Sequence, residues 1–211
     1  MAQRIATLPI PNPGKEYLLE AAAISKVLYA TDAKSLPVKE VAKLRTAMLK
    51  ALWGPGRTLR NVDAAFVFTT EKSHRFDPDQ AFIYHQLVIA RKVLGNSRHL
   101  RAQANLIWET CDDLSNSGPI ATLKRTCSRL GWEKLDDNFN FKRPDDTNLG
   151  LFGGSDTWWK HELRRSLRKF VLSHVPATRV DLGMLASSQN INRRASTVWL
   201  QPPRGDRRLK D

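Results

Sequence analysis

Asp77-Pro78-Asp79-Gln80-Ala81-Phe82-Ile83-Tyr84-His85-Gln86-Leu87-Val88-Ile89-Ala90-Arg91-Lys92-Val93-Leu94-Gly95 is the stretch whose reading decides the fold class. Asp77 offers an N-cap, Pro78 suits the first helical position, and Gln80 stands where a capping-box partner belongs. Phe82, Ile83, Leu87, Ala90, Val93 and Leu94 then cover a wide arc, which predicts a mostly buried helix ended by Gly95. Downstream, Ser97 can cap a second helix through Leu100, Ala104, Ile107 and Trp108, closing near Leu114-Ser115-Asn116. Gly118-Pro119 opens another, from Ile120 to Leu130, stopped by Gly131.

Upstream, a helix is expected from Lys15 to Ala30, and Pro37 starts a further one with the stripe Val38, Val41, Leu44, Met48 and Leu52. Gly54-Pro55-Gly56 stops it. Ala64-Ala65-Phe66-Val67-Phe68 reads as a helical turn or a strand. From Trp132 to Gly154 helical spacing fails and a hairpin or ordered loop is expected. Ser155 to His174 is strongly helical again. The fold class is therefore all-α: an array of about six helices with one irregular insert and a disordered basic C-terminal tail. Residues 1–14, with Pro9, Pro11 and Pro13, read as an extended segment, 15–182 as the helical domain, with a subdivision left open near 132–154, and 183–211 as the tail.

Charge is the strongest global signal. The 211 residues hold 34 Lys and Arg against 21 Asp and Glu, a net of +13 with a pI near 10.1, so polyanions are the natural partners. Hydrophobic content of 41% and six Trp suffice for a packed core. Cys111 and Cys127 fall in helical segments, which predicts two buried thiols in a reducing compartment. Neither a signal peptide nor a membrane span is seen, and a nuclear or cytoplasmic protein, not a secreted one, is expected.

The charge is also placed. Projecting 155–174 at about 100° per residue puts Trp159, Leu163, Leu167, Phe170 and Val171 on one face. Lys160, Arg164, Arg165, Arg168 and Lys169 fall on the other, with Trp158 beside them. Arginine forks fit phosphate oxygens and a neighbouring aromatic can stack on a base, so this face is the first candidate for nucleic acid. The bland alternative is a solvated helix face with Trp158 packed on a neighbour. Arg193, Arg194, Arg207 and Arg208 in the tail are a second candidate, as a non-specific arm, an import signal or a solubilising end. Gly54-Pro55-Gly56-Arg57 with Arg60 lacks a flanking strand and is no phosphate loop of a known kind.

Catalytic patterns are not compelling. Asp112-Asp113, Asp136-Asp137 and Asp145-Asp146 are pairs of the type two-metal chemistry uses, but none has the surrounding motif. His74, His85, His99, His161 and His174 show no ligand spacing, so no metal and no cofactor are expected.

Several segments resemble a known family. Val27-Leu28-Tyr29-Ala30, Leu36-Pro37 and Leu44-Arg45-Thr46-Ala47-Met48-Leu49-Lys50-Ala51-Leu52-Trp53-Gly54-Pro55-Gly56-Arg57 resemble the region after the palm in reverse transcriptases of non-LTR retrotransposons from protist genomes. Gly118-Pro119, Leu130-Gly131-Trp132, Phe139-Asn140-Phe141 and the Trp/Arg helix at 158–170 look like the same polyproteins. The resemblance implies a helical thumb and post-thumb region that grips a template–primer duplex or element RNA through its backbone. Palm, fingers and Cys/His knuckle have no counterpart here, so it transfers no catalytic residue. Three readings follow in order: a module binding RNA or DNA phosphates without catalysis, a basic subunit meeting an acidic protein in a larger assembly, and an enzyme whose acidic loop 136–146 holds Mg²⁺ or Mn²⁺.

Overall fold

The computed structural model describes residues 1–29, 37–53, 62–69, 73–111 and 118–178. Chain order runs α1 (Ala2–Ala6), α2 (Asn12–Leu18), a π-helical segment (Leu19–Ile24), α3 (Ser25–Leu28), α4 (Val38–Trp53), α5 (Val62–Thr69) and α6 (Ser73–Phe76). It continues through α7 (Pro78–Gly95), α8 (Arg98–Thr110), α9 (Pro119–Arg129), strands β1 (Glu133–Lys134), β2 (Asn140–Lys142) and β3 (Asn148–Gly150), and ends in α10 (Asp156–Thr178).

The helix boundaries follow from local chemistry. Asp77 accepts from the backbone N–H of Asp79 at 3.1 Å, and Ser97 Oγ from that of Leu100 at 3.3 Å, each satisfying a donor the first helical turn leaves orphaned. Gln80 is not a reciprocal capping-box partner. Its Nε2 donates to the Asp77 carboxylate at 3.2 Å instead. After α9, Gly131 adopts φ +68 while the Gly131 N–H reaches Ser128 O and the Trp132 N–H reaches Cys127 O, a Schellman stop.

Two apolar clusters share α7. Leu19, Ile24, Met48, Leu49, Leu52, Phe66 and Phe76 form the N-terminal one, which Ala81 joins. The other gathers Phe82, Ile83, Leu87 and Leu94 of α7 with Ala104, Leu123, Cys127, Trp132, Trp159, Leu163 and Leu167. Consecutive residues of α7 thus face different cores, which is why its apolar arc is so wide.

Three expectations need correction. The fold is mostly helical but not all-α. Residues 133–150 build a three-stranded antiparallel sheet in the order β1-β2-β3, with Phe141 opposite both Lys134 and Leu149. Its cause is period-two burial: Phe141 and Leu149 point inward between more exposed neighbours. Phe139 and Leu151 flank them in the same core, and Asp136 closes the first turn by accepting from the N–H of Asn138 and of Asn140. Second, residues 1–14 are not extended throughout. Ala2–Ala6 is helical because Ile5 is buried in the N-terminal cluster, where Lys15 Nζ donates to the Ala6 carbonyl at 2.8 Å. Third, α8 ends at Thr110, earlier than expected. The ambiguous 64–68 segment lies within α5. Cys111 and Cys127 are free and buried, and burial pushes the Cys127 thiol pKa up. Residues 54–56 and the tail 183–211 lie outside the described residues.

Candidate nucleic-acid interface

Helix α10 is anchored at its start. Ser155 Oγ accepts from the Trp158 N–H at 3.3 Å and the Ser155 carbonyl from the Trp159 N–H at 2.9 Å. Arg91, on α7, holds the preceding turn: its Nη1 donates to Leu151 O and Gly153 O, and its Nη2 to Gly154 O. The same guanidinium lies 5.0 Å from the centre of the Trp159 ring. Trp159, Leu163, Leu167 and Val171 are buried, while Phe170 is half-buried beside them with Arg129 above its ring at 5.9 Å.

The opposite face carries the expected cations in unequal states. Arg164 is exposed, its Nε donating to the Lys160 carbonyl at 3.0 Å. Arg165 is exposed, 3.8 Å from Glu162, and Arg168 is half-buried. Lys169 reaches Asp145 at 2.7 Å, and Lys160 reaches Asp156 at 2.6 Å. These contacts hold both carboxyls below the usual range, Asp145 through its hydrogen bonds from Lys169 and Thr147, Asp156 through Lys160. By helical angle, Arg164, Arg168, Arg165 and Lys169 occupy one outward arc, and Lys160 lies at its margin.

Trp158 is 49% exposed and lies against Gly154, where φ is +65 and a Cβ would meet the indole ring at 2.5 Å. One edge is therefore fixed while the rest stays open to solvent. Arg193, Arg194, Arg207 and Arg208 lie outside the described residues, as do Arg57, Arg60 and Asp112-Asp113.

Many cations that sequence reasoning passed over face inward. Arg45 donates from Nε and Nη2 to Asp77 at 2.8 Å each, and from Nη2 to Asp63 at 2.6 Å, joining α4, α5 and the start of α7. Burial pushes the fully buried Asp77 carboxyl up to about 6 against the pull of Arg45. Burial by itself would lower the Arg45 pKa, but the Asp77 and Asp63 charges outweigh it and hold it above the ordinary value. Arg101 donates to the last carbonyls of α7, Leu94 and Gly95, and covers the Phe152 ring at 4.1 Å. Lys124 closes α8 through the carbonyls of Trp108 and Cys111. Cations at helix C-termini complement exposed carbonyls and the dipole. Placement in the final turn was a legible signal only for partners on the same helix, and these come from other elements.

The acidic loop is occupied by its own turns. Asp136 binds Asn138 and Asn140, Asp145 binds Thr147 and Lys169, and Asp146 lies 3.0 Å from Lys142. Among the described residues no three His, Cys, Asp or Glu side chains group as a metal site. No described helix is long and apolar enough to cross a membrane. No family model, curated protein or solved structure matches the chain.

Proposed function

We propose that this chain is a helical nucleic-acid-binding module of the kind found in the thumb region of non-LTR retroelement reverse transcriptases, gripping RNA or DNA phosphates without catalysis of its own. The observation that carries the reading is the outward arc of Arg164, Arg165 and Arg168, with Lys169 at its edge paired to Asp145, on a helix anchored at its start, in a chain of net charge +13. Such an arc follows a phosphate backbone at whatever sequence, because forks and ammonium groups meet phosphate oxygens rather than base edges. A cleft elsewhere supports a wider footprint: between α1 and α4, Lys39 and Lys50, with Lys43 held by Glu40 at 2.8 Å, line a space walled by alanines and threonines.

Fluorescence anisotropy with single-stranded RNA, duplex DNA and an RNA–DNA hybrid tests the proposal. The expected result is affinity falling linearly with salt on logarithmic axes, with a slope of about −0.7 to −0.9 per neutralised phosphate. Absence of binding at low salt contradicts it. A second reading, a basic subunit meeting an acidic protein, is favoured by one feature. Leu106 and Ile107 on α8 are 65% and 43% exposed, an apolar supplement that a phosphate backbone does not use.

A further inference from the structure

A cavity of about 210 Å³ opens beside α10, where roughly 10–15 Å³ would lodge a single water. Leu130, Trp132, Pro144 and Phe170 supply apolar and aromatic wall, and Arg143, Asp145, Ser166, Lys169 and Ser173 supply polar groups. Two backbone features shape it. Gly131 in its left-handed conformation lets Pro144 approach to 3.1 Å of where a Cβ would stand, and the α10 residues Ser166, Lys169, Phe170 and Ser173 recur at helical spacing along one stripe.

Charge decides what suits this space. Arg143 Nη1 lies 3.2 Å from Glu162, and Lys169 Nζ lies 2.7 Å from Asp145. Both cations of the lining are therefore matched, and no surplus charge remains for a phosphate. Arg143 Nε is sealed from solvent, 3.8 Å from Asp145 Oδ1, and offers the cavity no donor. Aromatic wall and matched charge describe a flat, neutral ring.

We propose that this cavity receives one unstacked nucleobase of a single-stranded nucleic acid whose phosphates lie on the outer arc of α10. The inference rests on the phosphate-binding reading for that second half. Lys169 joins the two, since it lines the cavity and borders Arg165 on the arc. Stacking on the aromatic wall holds the base, which makes the site tolerant of base identity.

The test compares a short single-stranded RNA with an abasic ribose–phosphate strand of equal length by anisotropy, on the full chain and on Ser173→Trp. Ser173 is exposed, so the larger side chain can fill the cavity mouth without entering the core. Circular dichroism melting confirms folding, with Ser173→Leu as the milder substitute. The full chain should bind the base-bearing strand about tenfold more tightly, and Ser173→Trp should bind both strands at the abasic level. Equal affinity of the full chain for both strands overturns the proposal, as does a preference that survives Ser173→Trp. If neither strand binds, the phosphate reading has failed, and adenosine titrated against the Trp132 indole resonance decides the cavity alone: a saturable shift keeps it, no shift removes it.

Discussion

Arg45 illustrates how a single side chain here can hold three elements. Its guanidinium forks onto Asp77, which is fully buried, and also reaches Asp63. Replacing it with an apolar residue of similar length leaves the Asp77 carboxylate buried without its counter-charge, and breaking a buried pair from one side costs about 3–5 kcal/mol. Arg45→Met should therefore lower stability by that amount in urea titration, whereas a loss under 1 kcal/mol would mean that Gln80 and the Asp79 N–H satisfy Asp77 unaided. Arg91 acts by a related logic on the main chain, since the carbonyls of Leu151, Gly153 and Gly154 converge on it. Neither role was legible in sequence. Both arginines sit on helices whose partners lie many residues away, and no local pattern marks that distance.

At the scale of elements, α10 makes the sharpest claim because its two faces predict opposite behaviour. Trp159 and Leu163 are 1% and 0% exposed. Trp159→Ala should cost about 3–5 kcal/mol and Leu163→Ala about 2–5 kcal/mol, while Arg164→Ala should stay within about 0.5 kcal/mol. Equal tolerance in thermal melts would undo the face assignment. The loop between β2 and β3 makes a pH prediction. The Asp145 carboxyl is held below its ordinary range by Lys169 and Thr147, so the folded state binds its proton less readily than the unfolded chain does. The stability this contributes is present above about pH 4 and is lost as pH falls through the folded pKa. Asp145→Asn should flatten part of the acid limb of a melting-temperature profile, and an unchanged limb would mean Asp145 contributes nothing there.

The helices α4, α7, α8, α9 and α10 were legible because their starts are local, at Pro37, Asp77, Ser97, Gly118-Pro119 and Ser155, as is the Gly131 stop of α9. The three-stranded sheet was only half legible. Its strands are two or three residues long, too short for alternation to stand out, and they are held by the burial of Phe139, Phe141, Leu149 and Leu151 against distant helices. Helix α1 was missed for the same reason, since Ile5 owes its place to tertiary contact.

At the scale of the whole molecule, two populations of cations stand apart among the described residues. Arg45, Arg91, Arg101, Lys124 and Arg143 are turned inward on carboxylates and carbonyls, while Arg164 and Arg165 stand in solvent on α10 with Arg168 and Lys169 beside them. The formal charge of +13 counts both populations alike, so composition suggested a polyanion partner without singling out a face. Periodicity located the arc, because spacing along a helix is information a sequence carries directly. It said nothing of the cavity beside that arc, whose walls come from the end of α9, the loop between β2 and β3, and α10 together.

The central claim is that the outer arc of α10 meets phosphate. Anisotropy titration of the Arg164→Ala, Arg165→Ala, Arg168→Ala triple variant against single-stranded RNA, beside the unaltered chain over a range of salt, tests it most directly. The account predicts weaker binding to every sequence alike, a salt slope shallower by about 3, one for each phosphate contact removed, and an unchanged circular dichroism spectrum. Affinity and slope equal to those of the unaltered chain would contradict it and place any nucleic-acid contact elsewhere on the molecule.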